Sequence, residues 1–178
     1  MKPSIPVRVV SVLLVAVAGT AAAAIERLDL KQMVAKSEGA VVGEIRDSYV
    51  TAHEIPDAGI LLFTHLRVVG MDLYSGAEAD VTVSFVGGEL DGFAKYSSEQ
   101  PTAAESRPGN KVVAFYKSDE TMGGVGMNAL YAAHGGIFSV LSGPRGDVVL
   151  GKGEGYAVET NVLLEPLRAQ AAALRPPK

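Results

Sequence analysis

The chain of 178 residues contains no cysteine. That excludes a disulfide framework, a zinc–thiolate site and a thiol nucleophile, so the fold must be held by packing alone. An excess of basic charge is missing too, because 16 Lys and Arg stand against 20 Asp and Glu. A nucleic-acid surface needs a basic footprint, which this balance does not provide. Aromatic residues, at 6%, offer no stacking platform for bases either. The one long apolar run is residues 9–19, "VVSVLLVAVAG", too short for a bilayer span of about 20 residues.

That run has the surroundings of a targeting segment. Residues 1–8 carry Lys2 and Arg8 and no acid, and small residues follow the run, with Ala22-x-Ala24 fitting a signal-peptidase site. The expectation is a cleaved signal peptide over residues 1–24 and one β-rich domain over residues 25–178. It carries with it a periplasmic or secreted location and no membrane span in the mature chain. No cysteine stands near the cleavage region to take a lipid anchor. Without Lys2 and Arg8 the mature chain keeps 14 basic and 20 acidic side chains, a formal charge of −6.

Beyond that segment the apolar period changes from helical to strand-like. "LDLKQMVAKSEG" predicts a short helix, capped by Asp29 with Gln32 completing a capping box. Leu30, Met33 and Val34 form its apolar stripe, and Gly39 suits its stop. Alternation in "AVVGEIRDSYV" puts Val41, Gly43 and Ile45 on one face and Glu44, Arg46 and Ser48 on the other. In "ILLFTHLRVVGMDLY", Leu62, Thr64, Leu66 and Val68 alternate with Phe63, His65, Arg67 and Val69.

Further strands are read in "VTVSFVGG", "KVVAFYKS", "GGIFSVL" and "DVVLGK", the last two as a hairpin across "SGPRG". Residues 89–110 read as a long exposed loop and, with the face that carries His65 and Arg67, as a candidate functional segment. "PLRAQAAALRPPK" reads as a closing helix stopped by Pro176 and Pro177. Strands follow one another without helices between them. The pattern predicts a mainly β fold, a small antiparallel OB-like barrel with a short N-terminal and a C-terminal helix.

"TMGGVGMNALYAAHGG" holds G-x-G-x-x-A at Gly124, Gly126 and Ala129. A dinucleotide turn needs a strand running directly into it and a helix whose N-terminus receives the pyrophosphate. Here the preceding strand ends too early, "MNALYAAH" meets Gly135 and Gly136 too soon, and Asp147 precedes its strand instead of ending one. The glycines read as a flexible connection between strands, and no cofactor is expected. "GKGEGYA" lacks the Walker spacing, and "SGPRG" is no nucleophile elbow. Of the three histidines, His53 beside Glu54 and Asp57 comes nearest to a metal set, but acidic turns of this kind are ordinarily solvated.

The outward strand faces carry Glu44, Arg46, His65, Arg67, Thr82 and Ser84, a polar patch with charges paired across strands. A binding surface there would use His65 and Arg67, with Phe63 and Val69 as apolar anchors. Phe93 and Tyr96, in the long loop, are further candidate contacts, since aromatic side chains are favoured at interfaces.

The segment order runs from "LDLKQMVAKSEGAVVGEI" through "LLFTHLRVVGMDLYSG", "VTVSFVGGELDG" and "RPGNKVVAFYKSD" to "GGIFSVL". This resembles a group of secreted bacterial proteins of unknown function. It is also similar to the netrin-like module of the tissue inhibitors of metalloproteinases. The resemblance implies a five-stranded OB-type barrel with flanking helices. Those inhibitors reach a catalytic metal through an amino-terminal cysteine, which this chain lacks, so their activity does not come with the fold.

The expected function is an exported, non-catalytic binding or interaction module without metal, whose partner is another envelope or extracellular protein. Two alternatives stand beside it. One is a small hydrolase or metal-dependent enzyme using His53, His134, Glu89 or Asp91. The other is a periplasmic carrier holding a small apolar ligand behind Val41, Leu66, Val83 and Phe85.

Overall fold

A computed structural model describes residues 27–55, 59–122 and 124–175. The expected signal peptide, Asp57 and the Pro176–Pro177 stop lie outside the described residues. The chain opens with α1 (Leu30–Lys36), then β1 (Gly39–Ile55), β2 (Gly59–Asp72) and β3 (Glu78–Val86). Next come β4 (Gly88–Leu90), β5 (Phe93–Lys95), β6 (Lys111–Met122) and β7 (Val125–Leu130). After a short 3-10 turn (Ala133–Gly136) follow β8 (Ile137–Gly143), β9 (Gly146–Val149), β10 (Val162–Leu163) and α2 (Leu164–Leu174).

Five strands close a barrel in the order β1-β2-β3-β7-β6, with β6 returning to β1. The β1–β2–β3 meander is antiparallel, as are β6–β7 and the β1–β6 seam, where Gly39 to Glu44 face Tyr116 to Lys111. The remaining seam, β3–β7, is parallel and rests on one bridge, Ser84 to Ala129. This is the Greek-key closure of an OB barrel. On its outer side β6 also pairs with β8, and the sheet runs on through β9 to β10.

Burial explains why β1 and β6 read as nearly continuous apolar runs at their centres. One face of these strands lines the barrel, where Val41, Ile45, Leu66, Val68, Val83, Phe85, Val112, Ala114, Leu130 and Ile137 pack together. The other face carries Ala40, Val42, Val113 and Phe115 into a second core under the two helices. There they meet Leu30, Met33 and Val34 of α1 and Leu164, Leu167 and Ala171 of α2. A strand covered on both faces loses its polar alternation. Phe115 and Phe138 meet edge to face inside this second core, 6.3 Å between ring centres.

The predicted capping box of α1 is present. Asp29 accepts from the Gln32 backbone N–H at 2.7 Å, and Gln32 Oε1 accepts from the Asp29 N–H at 3.0 Å. Gly39, however, does not stop the helix, which ends at Lys36 with Ser37 as its cap. Gly39 already belongs to β1, and the Tyr116 ring lies where its β-carbon would be.

Two further local readings change. The register of β1 on β2 shifts between Ile45 and Asp47, a bulge that inserts Arg46. The alternation restarts after it, so Ser48 faces Leu66 on the barrel side and not the outward face. Before the bulge, Gly43 stands opposite Gly70, and each strand's backbone fills the space a β-carbon of the other would need. This close approach lets the long hairpin coil into a barrel wall. The glycine-rich stretch around Gly124 and Gly126 is likewise no loose connection, because it turns into β7, the fifth barrel strand.

Candidate functional site

The long segment between β3 and β6 is where the sequence expects an exposed loop, and it is more ordered than that. Asp91 and Gly92, with φ of 51° and 78°, make the two-residue turn of a β4–β5 hairpin. Both central residues have positive φ, the conformation that an Asp-Gly pair adopts most readily between strands. After β5 the chain folds back across one end of the barrel. Tyr96, Ser97, Ser98, Gln100, Pro101, Thr102, Ala103 and Ser106 then face Thr64, Phe85 and Gly88 across a cleft of about 440 Å3. Phe85, Ser97 and Gln100 also line an adjoining recess of about 210 Å3, walled by Val86, Glu99, Leu130 and Ala133.

A buried ion pair fastens this segment to the body. Lys152 Nζ donates to Glu105 Oε1 at 2.6 Å and to the His134 carbonyl at 2.7 Å, and lies over the Phe138 ring. Only 11% of the lysine side chain and 16% of the glutamate side chain remain exposed. Glu105 Oε2 accepts from the Thr102 N–H and hydroxyl, both at 2.9 Å, and stands 3.3 Å from His134 Nδ1. Burial pushes the Lys152 ammonium below the ordinary lysine value, the Glu105 charge opposing it. Burial pushes the Glu105 carboxyl up, but the bonds from Lys152 and Thr102 outweigh it and leave the group below the usual range.

The residues singled out from sequence divide between two places. Phe63 is fully buried and His65 nearly so; they cannot act as a docking anchor and contact on an open face. The reason is that this end of β2 is covered on both faces, which alternation alone does not reveal. His65 stacks on Tyr49 at 4.7 Å and is held between Ser84 Oγ, 2.7 Å from Nδ1, and Thr51 Oγ1, 2.8 Å from Nε2. Burial, with the nearby His53, keeps its imidazole below the ordinary histidine value. Ser84, at 1% exposure, is buried beneath it. Arg67 is exposed but engaged with Asp80 through two nitrogens, at 2.9 and 2.5 Å.

Phe93 and Tyr96 meet the expectation of exposed aromatics, at 52% and 65%. Tyr96 lines the cleft and donates its hydroxyl to Glu89 Oε2 at 3.1 Å. Thr64, across from it, is on the opposite face of β2 from Phe63 and His65, so the two halves of the sequence-based surface do not share a face. His53 leans on Thr51 and Phe63, His134 lies against Glu105, and Asp91 forms a turn. Among the described residues no three His, Cys, Asp or Glu side chains converge as metal ligands. Val41, Leu66, Val83 and Phe85 pack on one another in the barrel core.

Sequence reasoning missed Thr64, Ser97, Ser98, Gln100, Thr102 and Ser106 as cleft residues, and Lys152 and Glu105 as the pair that holds them. One signal was there to read. Thr102 and Glu105 have the spacing of a capping box, and a segment that caps itself is not an unstructured loop. No protein-family model, curated protein or solved structure matches the chain. The site therefore has to be read from its own chemistry.

Proposed function

We propose that this chain is an exported, non-catalytic binding module whose ligand seats in the cleft at the open end of the barrel. The observation that carries this reading is the fastening of residues 96–106 by the Lys152–Glu105 pair. A cleft of small-molecule size with one wall pinned by a buried ion pair is preorganised, and preorganisation lowers the entropic cost of binding. The polar groups nearest to catalytic chemistry support a binding role, because each is engaged within the protein. Lys152 is saturated by Glu105 and His134, Glu89 holds Tyr96, and the His65–Ser84 contact is buried. Export rests on the signal-peptide pattern of residues 1–24, and a netrin-like kinship is part of the same reading, supported by the OB order of the barrel.

The test uses isotope-labelled protein and the low-molecular-mass fraction of the medium and envelope of its source cells. Amide shifts confined to residues 96–106 and the facing ends of β2 and β3 are expected. They should vanish in Ala103→Trp, and in Ser98→Trp as a second cleft-filling variant, with thermal midpoints kept. Shifts that map elsewhere, or that survive in both folded variants, would overturn the reading.

A further inference from the structure

The cleft's ligand class follows from where its hydroxyl protons already go. Thr64 donates to the Gly87 carbonyl at 2.7 Å, Thr102 to Glu105 at 2.9 Å, Ser106 to the Thr102 carbonyl at 2.9 Å, and Tyr96 to Glu89 at 3.1 Å. Four hydroxyls on the cleft wall have thus committed their protons inside the protein, and what they keep for a ligand is lone pairs. Ser97, Ser98 and Gln100 carry donors as well, but four of the wall's six hydroxyls are left to accept, so a good occupant brings O–H or N–H donors of its own.

Charge narrows the choice. None of the eleven residues lining the cleft is Asp, Glu, Lys, Arg or His. A cationic ligand would find no carboxylate among these eleven residues, and an anionic one no basic group, so neither charge would be compensated there. A peptide is disfavoured on different grounds. Extended peptides dock on a free strand edge, an apolar helix groove or a proline-binding aromatic trough. Here seven of the eleven lining residues carry a hydroxyl or amide side chain and eight come from an irregular segment; β2 is paired on both sides along this stretch, and β3 gives only Phe85.

We infer that the cleft takes a neutral, donor-rich polyol of the saccharide class, with the exposed face of Tyr96 lying against its C–H surface and the adjoining recess at Val86, Leu130 and Ala133 receiving a less polar substituent. A pyranose supplies several O–H donors, carries no charge, and presents a C–H face that gains dispersion contact on an aromatic ring. The adjoining recess offers Val86, Leu130 and Ala133 to an acetamido methyl or a second ring edge, with Glu99 beside them as a further acceptor for a sugar hydroxyl.

This inference rests on the cleft reading above, and its test separates the two. The purified protein is titrated, with amide shifts as readout, against glucose, N-acetylglucosamine, chitotriose, maltotriose and cellotriose. Spermidine, inorganic phosphate and trialanine serve as charged and peptide comparators. At least one neutral saccharide should move the amides of Ser97, Ser98 and Gln100 at millimolar concentration. Tyr96→Ala, a variant of an exposed residue that keeps the fold, should weaken that binding about tenfold. If no saccharide in the panel moves those amides, or if spermidine, phosphate or trialanine moves them more strongly, the saccharide inference fails. The cleft reading is decided separately: it fails if the cell-derived fraction leaves those amides unmoved, or moves them equally in both tryptophan variants.

Discussion

Lys152 shows what a single buried charge does in this protein. Its ammonium is the shared partner of Glu105 and of the chain at His134, so it joins the β3–β6 segment to the turn before β8. Removing one member of a buried pair leaves the other desolvated and unpaired. Lys152→Met should therefore cost about 3 kcal/mol in urea unfolding, and Glu105→Leu in the same background should recover part of the loss. A single-variant cost under about 0.5 kcal/mol would show that the pair is solvated in solution. His65 supplies the acid side of the stability profile. Its folded imidazole binds a proton less readily than the ordinary value of 6.5, so below that value the unfolded chain holds more protons. Stability should fall as pH drops through 6.5 and level off beneath the folded value. Urea midpoints of the protein and of His65→Gln measured across this range should diverge, the variant showing the flatter line; parallel lines would rule His65 out as the source.

At the scale of elements the hairpin of β1 and β2 is the part most tightly specified by backbone contact. Gly43 and Gly70 stand face to face with no room for a β-carbon. Gly43→Ala should cost about 3 kcal/mol, since the obstacle is the Val69 carbonyl and not a side chain that can turn away. A loss below about 1 kcal/mol would mean that the strands separate easily at this point. What the sequence makes legible here depends on how local the cause is. The α1 cap was readable because Asp29 and Gln32 satisfy each other within one turn. Alternation puts Ser48 on the outward face, and the structure reverses it, because the bulge at Arg46 is fixed by pairing with β2, not by its own neighbours. β7 was missed for a related reason. Its partners are residues of β6 and Ser84 of β3, and its glycines resemble a loop unless those partners are known. The aromatic pair Phe93 and Tyr96 was found, whereas the hydroxyl wall around Tyr96 becomes a wall only once residues 96–106 fold across Thr64 and Phe85.

Across the whole molecule, stability is concentrated where β1 and β6 separate the barrel interior from the helix-covered core. Phe115 sits on that divide, fully buried, and Phe115→Ala should cost about 4 kcal/mol. Amides of Val41, Val42 and Val112 to Phe115 should be the slowest to exchange, and those of β4 and β5 among the fastest. Slow exchange in β4 instead would place the stable centre at the cleft. The separation of these regions has a consequence for how such a protein can change over generations. Eight of the eleven cleft residues come from one continuous stretch, Tyr96 to Ser106, and neither core draws on that stretch. Substitutions there can reshape the cleft while leaving both cores untouched, provided the anchoring glutamate is kept. On the binding reading proposed above, specificity would reside in a replaceable cassette, separate from the scaffold that carries it.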